Sequence, residues 1–186
     1  MKRMLVGLVA SGFLMAGVAA PAAAQARGYV GLGAGAAVPV GDFADSDKLG
    51  WLGQLIAGIT GPSGRLGGRI DGGYSRHSFK GTVSGHDGLF GANADVVLNF
   101  GTTASKARPY VLAGVGFYNV KSTGSTGSVS YSTSETKGAF NGGAGVNIKT
   151  SGNMALYLEG RFVSIRAEGG SLNFIPLSVG LRWGGW

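Results

Sequence analysis

From residue 28 onward the chain alternates two kinds of side chain with a period of two, in eight runs each closed by turn-forming residues. The runs are "GYVGLGAGAAV" (28–38), "WLGQLIAGIT" (51–60), "RLGGRIDGGYSR" (65–76), "GLFGANADVVLNF" (88–100), "PYVLAGVGFYNV" (109–120), "KGAFNGGAGVNIK" (137–149), "MALYLEGRFVSI" (154–165) and "NFIPLSVGLRW" (173–183). A period of two throws successive side chains to opposite faces of a strand, which no helix does. Strands of soluble sandwiches usually run about 5–6 residues, whereas a strand crossing a bilayer at a tilt of about 45° needs about 9–11. Lipid cannot satisfy the bare edge of a sheet, so strands that cross it must close into a barrel. The expected fold is therefore all-β: an eight-stranded antiparallel up-and-down transmembrane β-barrel. The rival all-β reading is an exported soluble barrel with its apolar face inward and its charged face outward.

Distribution of charge decides between the two. Leu66, Ile70 and Tyr74 share one face of the third run, and Arg65, Arg69, Asp71 and Ser75 share the other. The fourth run sets Phe90, Ala92, Ala94, Val96, Leu98 and Phe100 against Gly91, Asn93, Asp95, Val97 and Asn99. The sixth opposes Phe140, Ala144, Val146 and Ile148 to Asn141, Gly143, Gly145, Asn147 and Lys149; the seventh opposes Met154, Leu156, Leu158 and Phe162 to Tyr157, Glu159 and Arg161. Arg69, Arg161 and Arg182 match Asp71, Asp95 and Glu159 in number at strand centres. Balanced signs there point to a paired lumen network, with Arg69 reaching Asp95 and Arg182 reaching Glu159 across neighbouring strands. Unpaired ions in a narrow lumen would cost several kcal/mol. Gly73, Gly91, Gly143 and Gly145 leave room for the arginines in an interior just wide enough for side chains. The second and fifth runs carry apolar residues on both faces, so their facing is left open.

Connections alternate as well. "GPSG", "GTTASKAR" and "TSGN" are short, while 39–50, 77–87, 121–136 and 166–172 are mostly longer and polar. Short periplasmic turns and long outer loops are the habit of outer-membrane barrels, and an even strand number puts both termini on the periplasmic side. Aromatics gather near strand ends: Tyr29, Phe100, Tyr110 and Trp183 at one, Trp51, Tyr74, Phe90, Tyr118, Phe140 and Phe174 at the other. Such rings are expected to form two interfacial girdles.

Export is written at the start. Residues 1–26, "MKRMLVGLVASGFLMAGVAAPAAAQA", have a basic pair, an apolar run and small A-x-A residues, the layout of a cleaved signal peptide used by the Sec pathway. Residues 27–186 then form one barrel domain. Of 16 basic residues Lys2 and Arg3 leave with the leader, so 14 remain against 9 acidic, a charge of +5. These charges are scattered, which argues against nucleic acid. The chain has no cysteine, hence no disulfide and no lipid anchor through one. Beyond the leader no apolar stretch reaches 18 residues, and no i, i+3, i+4, i+7 pattern escapes interruption by glycine, which contributes 37 residues.

The segments "GLGAGAAVPVGDF", "LGGRIDGGYSRH", "RPYVLAGVGFYNV", "GGAGVNI" and the terminal "LSVGLRW", taken in order, resemble the outer membrane protein β-barrel domain family, the OmpA-like and OmpX-like eight-stranded barrels of Gram-negative bacteria. The resemblance implies a cell outer membrane location among outer-membrane lipid and lipopolysaccharide, with the barrel-assembly machinery and periplasmic chaperones as partners during biogenesis. It also implies that the last strand is an assembly signal, carried by Gly180, Leu181 and Trp183, with Trp186 off the usual alternation. The peptidoglycan-binding module of longer relatives is not expected here. The implied role is structural, in envelope integrity or surface interaction through the long loops. A narrow porin-like channel for small solutes is the alternative, and a lipid-modifying enzyme the third.

Motifs for catalysis are thin, and no enzyme is expected. His77 and His86 have Ser75, Ser78, Ser84 and Asp87 near them in sequence, but a nucleophile needs a base within reach and a third group orienting that base. Two histidines and no cysteine make a poor metal set. Asp42, Asp45 and Asp47 miss the calcium-loop spacing, and "GLGAGA" is followed by Val38 and Pro39 where a dinucleotide site needs a helix. No cofactor is expected.

Overall fold

The computed structural model describes residues 26–80, 84–126, 129–167 and 170–185. The expected leader falls outside these residues except for Ala26, and Trp186 does too. Eight strands follow in order: β1 (Arg27–Val40), β2 (Gly50–Thr60), β3 (Leu66–Ser78), β4 (Ser84–Asn99), β5 (Ala107–Thr126), β6 (Val129–Ser151), β7 (Met154–Ala167) and β8 (Gly170–Gly184). Each pairs antiparallel with its neighbours, and β8 returns to β1 from Tyr29↔Gly184 to Val40↔Asn173, so the sheet is a closed eight-stranded up-and-down barrel. No described helix is long and apolar enough to cross a membrane, which says nothing against crossing by strands.

The apolar face is outside. Leu55, Ile70, Phe90, Val96, Val115 and Phe117 are 60–70 % exposed or close to it, while the alternate positions on the same strands are buried. In water such a surface would be unstable, since contiguous exposed apolar patches of this extent mark an interaction surface. The inward faces of β2 and β5, left open by the sequence, are now fixed. Leu52 and Ile56 of β2 and Tyr110, Leu112 and Tyr118 of β5 are buried inside.

Three expectations are corrected. Three of the segments expected as loops are mostly strand: β5 and β6 pair out to Thr126↔Val129, β3 and β4 out to Ser78↔His86, and β7 and β8 out to Ala167↔Gly170. Antiparallel pairing propagates past the apolar band, because each strand offers its neighbour partners for the backbone N–H and C=O groups. Segment 39–50 holds the one described helix, α1 (Asp42–Ser46), which begins after Gly41 at φ 61°, a left-handed conformation that glycine tolerates. Finally, four of the ten girdle aromatics point inward: Tyr29, Tyr110, Tyr118 and Phe174 are at most 7 % exposed. Phe100, Trp183, Trp51, Tyr74, Phe90 and Phe140 do face outward, although Phe90 and Phe140 stand mid-strand because β4 and β6 run on past them. Parity along a strand, not distance from its end, decides which way a ring points.

Candidate functional site: the lumen

Arg69 and Asp71 of β3, Asp95 of β4, and Glu159 and Arg161 of β7 meet at mid-barrel, all at most 9 % exposed. The register sets two of them side by side, Arg69 opposite Asp95, and the barrel's closure brings Glu159 and Arg161 across the lumen to them. Arg69 donates a fork to Glu159, Nη1 to Oε2 at 2.6 Å and Nη2 to Oε1 at 3.0 Å. It also lies 3.5 Å from Asp71 and 3.6 Å from Asp95. Arg161 donates Nε to Glu159 (2.7 Å), Nη2 to Asp71 (3.0 Å) and Nη1 to Asp95 (3.3 Å). Each arginine thus touches all three carboxylates. Charge-assisted, forked contacts of this kind are the strong hydrogen bonds.

Every carboxylate also receives a neutral donor. Asn93 Nδ2 donates to Asp71 at 2.9 Å, Asn141 Nδ2 to Asp95 at 2.9 Å, and the Tyr110 hydroxyl to Glu159 at 2.7 Å. Sequence reasoning missed these three as members of the network. Parity already put Asn93 and Asn141 on the charged face, but Tyr110 sits on a strand whose facing the pattern leaves open.

Arg182 does not join. It points inward and is buried, yet it stacks over the Tyr29 ring at 3.9 Å and donates to the carbonyls of Gly184 and Gly185. The expected Arg182–Glu159 pair fails because Glu159 lies opposite Ser178, while Arg182 lies opposite Ala155, four residues away along the strand. Glycine opposes each of the bulky groups. A Cβ at Gly143 would press on Arg161, at Gly91 on the Tyr118 ring, and at Gly145 on the Tyr110 ring. The small positions therefore make room for tyrosines as much as for arginines.

Apolar side chains close both sides of the cluster. Toward the long-loop end lie Leu52, Leu89, Tyr118, Val163 and Phe174; toward the short-turn end lie Tyr29, Ile56, Tyr157, Val97 and Leu112. Two small voids flank the cluster among the described residues, one of about 40 Å³ beside Gln54, Asp71, Asn93 and Arg161, and one of about 10 Å³ beside Tyr29, Arg69 and Arg182. Each has room for at most a very few water molecules.

This lumen, with an apolar exterior and alternating strands, is the architecture of a known group. The sequence matches the outer membrane protein beta-barrel domain over residues 6–183. The chain belongs to that family. The barrel accordingly resembles Neisserial surface protein A, at 20 % identity and a TM-score of 0.62, covering 84 % of this chain and 96 % of that one. It resembles Ail, the attachment invasion locus protein of Yersinia pestis, at 16 % identity and 0.59, covering 86 % and 99 %; Ail is also known in complex with the heparin analogue sucrose octasulfate. The N-terminal β-barrel domain of Pseudomonas aeruginosa OprF follows at 18 % and 0.52, covering 86 % and 97 %. No curated protein matches the chain. As an outer-membrane barrel, the protein belongs in the outer membrane.

At the long-loop end of this family barrel, α1 folds over the opening. Phe43 is buried against the His77 ring, 5.1 Å between centroids, and Lys48 N donates to Ser78 O while Lys80 N donates to Ser46 O. Lys80 Nζ also donates to Ala44 O. The His77 ring donates Nδ1–H to Lys48 O (3.2 Å), so in the neutral ring Nε2 accepts from the Ser75 hydroxyl at 3.3 Å. A main-chain carbonyl thus occupies the orienting position that a catalytic triad gives to a carboxylate, and His77 is fully buried under Phe43. His86 instead accepts from Arg76 at 3.2 Å. Among the described residues no group of three or more metal-ligating side chains occurs.

Asp47, at the end of this latch, is 3 % exposed with an unpartnered Oδ1. Burial pushes its carboxyl up to about 7; the Asp87 carboxylate adds to the rise and Lys80 opposes it. An exposed aspartate ionises near pH 4. Between those values the closed latch holds a proton that the open one has lost, so closure is favoured at low pH and weakens as pH rises toward 7. Amide protection of residues 43–47 is expected to be greater at pH 5 than at pH 8, and Asp47→Asn should keep the pH 5 protection at both. Equal protection at the two values in the wild type would refute the assignment.

Proposed function

We propose that this protein is a structural outer-membrane barrel whose lumen is closed to ions, with its short turns and both termini in the periplasm and its longer hairpins at the cell surface. The observation that carries the reading is the buried cluster of two arginines and three carboxylates with apolar layers on both sides. The small size of the voids beside the cluster supports a lumen closed to ions, as does the narrow interior of an eight-stranded barrel. The β5–β6 hairpin reaches to Thr126↔Val129, well past the last outward apolar residues, and supports a surface-interaction role. Ail, of like fold, occurs in a complex with a heparin analogue. The Ser75–His77 pair lacks the carboxylate arrangement that would favour an enzyme.

Purified barrel in planar bilayers is expected to give no steady single-channel current, and unboiled protein should migrate apart from boiled protein on a denaturing gel. Large, stable currents would overturn the closed lumen and favour the channel. A single band in both gel lanes, together with recovery in the soluble fraction, would remove the membrane role altogether.

A further inference from the structure

One outward face of the barrel carries cations above its apolar groups. Arg76 continues the even positions of β3 after Ile70 and Tyr74, His86 precedes Phe90 on the even positions of β4, and Lys121 follows Val115 and Phe117 on the odd positions of β5. Ile70, Phe90, Val115 and Phe117 are 60–70 % exposed, so this parity points out of the barrel. The acidic residues of these strands, Asp71, Asp87 and Asp95, have the opposite parity and are buried. The register sets Trp51, Arg76, Gly88 and Lys121 in one row across β2–β5, with a glycine between the two exposed cations. Arg76 Nη2 donates to His86 Nδ1 at 3.2 Å, which leaves the proton of the neutral ring on Nε2. The Tyr74 hydroxyl lies over Gly88, 2.8 Å from where a Cβ would stand. Among the described residues no carboxylate pairs with Arg76 or Lys121. Four residues further into the same strands, another row runs Leu55, Gly72, Ala92, Phe117. Leu55 and Phe117 stand as walls over a floor of Gly72 and Ala92, within an outward groove of about 1020 Å³. With strands tilted by about 45°, four residues are about 9 Å of depth, enough to pass from the headgroup layer into hydrocarbon.

We propose that this face holds one phosphate-bearing lipid of the leaflet at the long-loop end, its phosphate on Arg76, His86 and Lys121 and an acyl chain in the groove beneath. Charge complementarity argues for the phosphate, since the face offers N–H donors and two cations with no acid beside them. Position argues for a lipid rather than a protein partner, because the groove lies within the outward apolar face and the cations stand level with the outward Trp51 ring, where headgroups meet the barrel. The proposal rests on the membrane reading and is independent of the closed lumen. A single gel band with recovery in the soluble fraction would remove the membrane reading itself, whereas a folded barrel indifferent to the phosphate removes only this site.

Native mass spectrometry of the full barrel, released from detergent micelles that hold equimolar dipalmitoyl phosphatidic acid and dipalmitoylglycerol, tests it. Wild type is expected to retain phosphatidic acid preferentially, at one molecule per barrel. Arg76→Gln/Lys121→Gln should lower that preference by about fivefold for each charge removed, while Arg65→Gln/Lys106→Gln at the opposite end should keep it. Only the Gly91 carbonyl oxygen comes near a Cβ at Gly72, at 3.7 Å, so Gly72→Leu fills the groove without a clash. That variant should also lose phosphatidic acid, with both cations in place. Gel mobility of unboiled samples confirms that each variant is folded. Equal retention of the two lipids by wild type, equal losses in the two double variants, or full retention by Gly72→Leu would overturn the site. Displacement of the lipid by millimolar inorganic phosphate would assign the cations to free phosphate and overturn the lipid source.

Discussion

Glu159→Ala is expected to destabilise the barrel by about 3–5 kcal/mol, the usual cost of removing one partner from a well-buried ion pair. Glu159 accepts four hydrogen bonds, two from Arg69, one from Arg161 and one from Tyr110, and all four donors would be stranded in a site with little water. Formal charge alone would suggest the opposite, because two arginines face three carboxylates and the loss of one leaves a balanced set. Geometry outweighs that balance, since an unpaired buried donor costs more than a modest residual charge repels. Asp95→Asn removes the same formal charge and keeps one of the two acceptor oxygens that take Arg161 and Asn141, so one donor loses its partner and the cost should be about 1–2 kcal/mol. Urea unfolding from lipid vesicles, followed by the gel shift, gives both numbers. Equal losses in the two variants would show that net charge rather than donor satisfaction governs the cluster.

Gly35→Val is expected to abolish barrel formation. A Cβ at Gly35 would overlap the Leu177 carbonyl oxygen across the β1–β8 seam, and its nearest neighbours are all backbone atoms of Leu177 and Ser178, which leaves no flexible side chain to yield. That seam is the closure itself, so a local clash there opens an edge that lipid cannot satisfy. Gly53→Val offers the contrast. Nothing lies within 4 Å of a Cβ there, the position faces outward, and a β-branched side chain suits a strand. Its unboiled band should match the wild type, whereas Gly35→Val should show only the unfolded one. A folded Gly35→Val barrel would mean the seam has slack that the register does not suggest.

The fold was legible because alternation is a local property. Strand existence, number and the facing of β3, β4, β6 and β7 all follow from which residues stand two apart, and each of those faces is as the pattern implies. β2 and β5 were illegible for a physical reason. Their lumen positions hold Leu52, Ile56, Leu112 and Tyr118, since the zones above and below the ion cluster are apolar, so both faces of these strands read alike. Loop lengths were misjudged because nothing in a Ser- and Thr-rich segment says whether its backbone will pair, and pairing is decided by the neighbour.

The sequence by itself determined that Arg69, Asp71, Asp95, Glu159, Arg161 and Arg182 share the inward side, because parity is counted along one strand. Which of them meet was decided only by the tertiary structure. Register slides Arg182 four residues away from Glu159, and closure of the barrel carries β7 across to β3, pairing Arg69 with a residue 90 positions distant. Pairing depends on distances through the lumen, and those exist only once the last strand has joined the first.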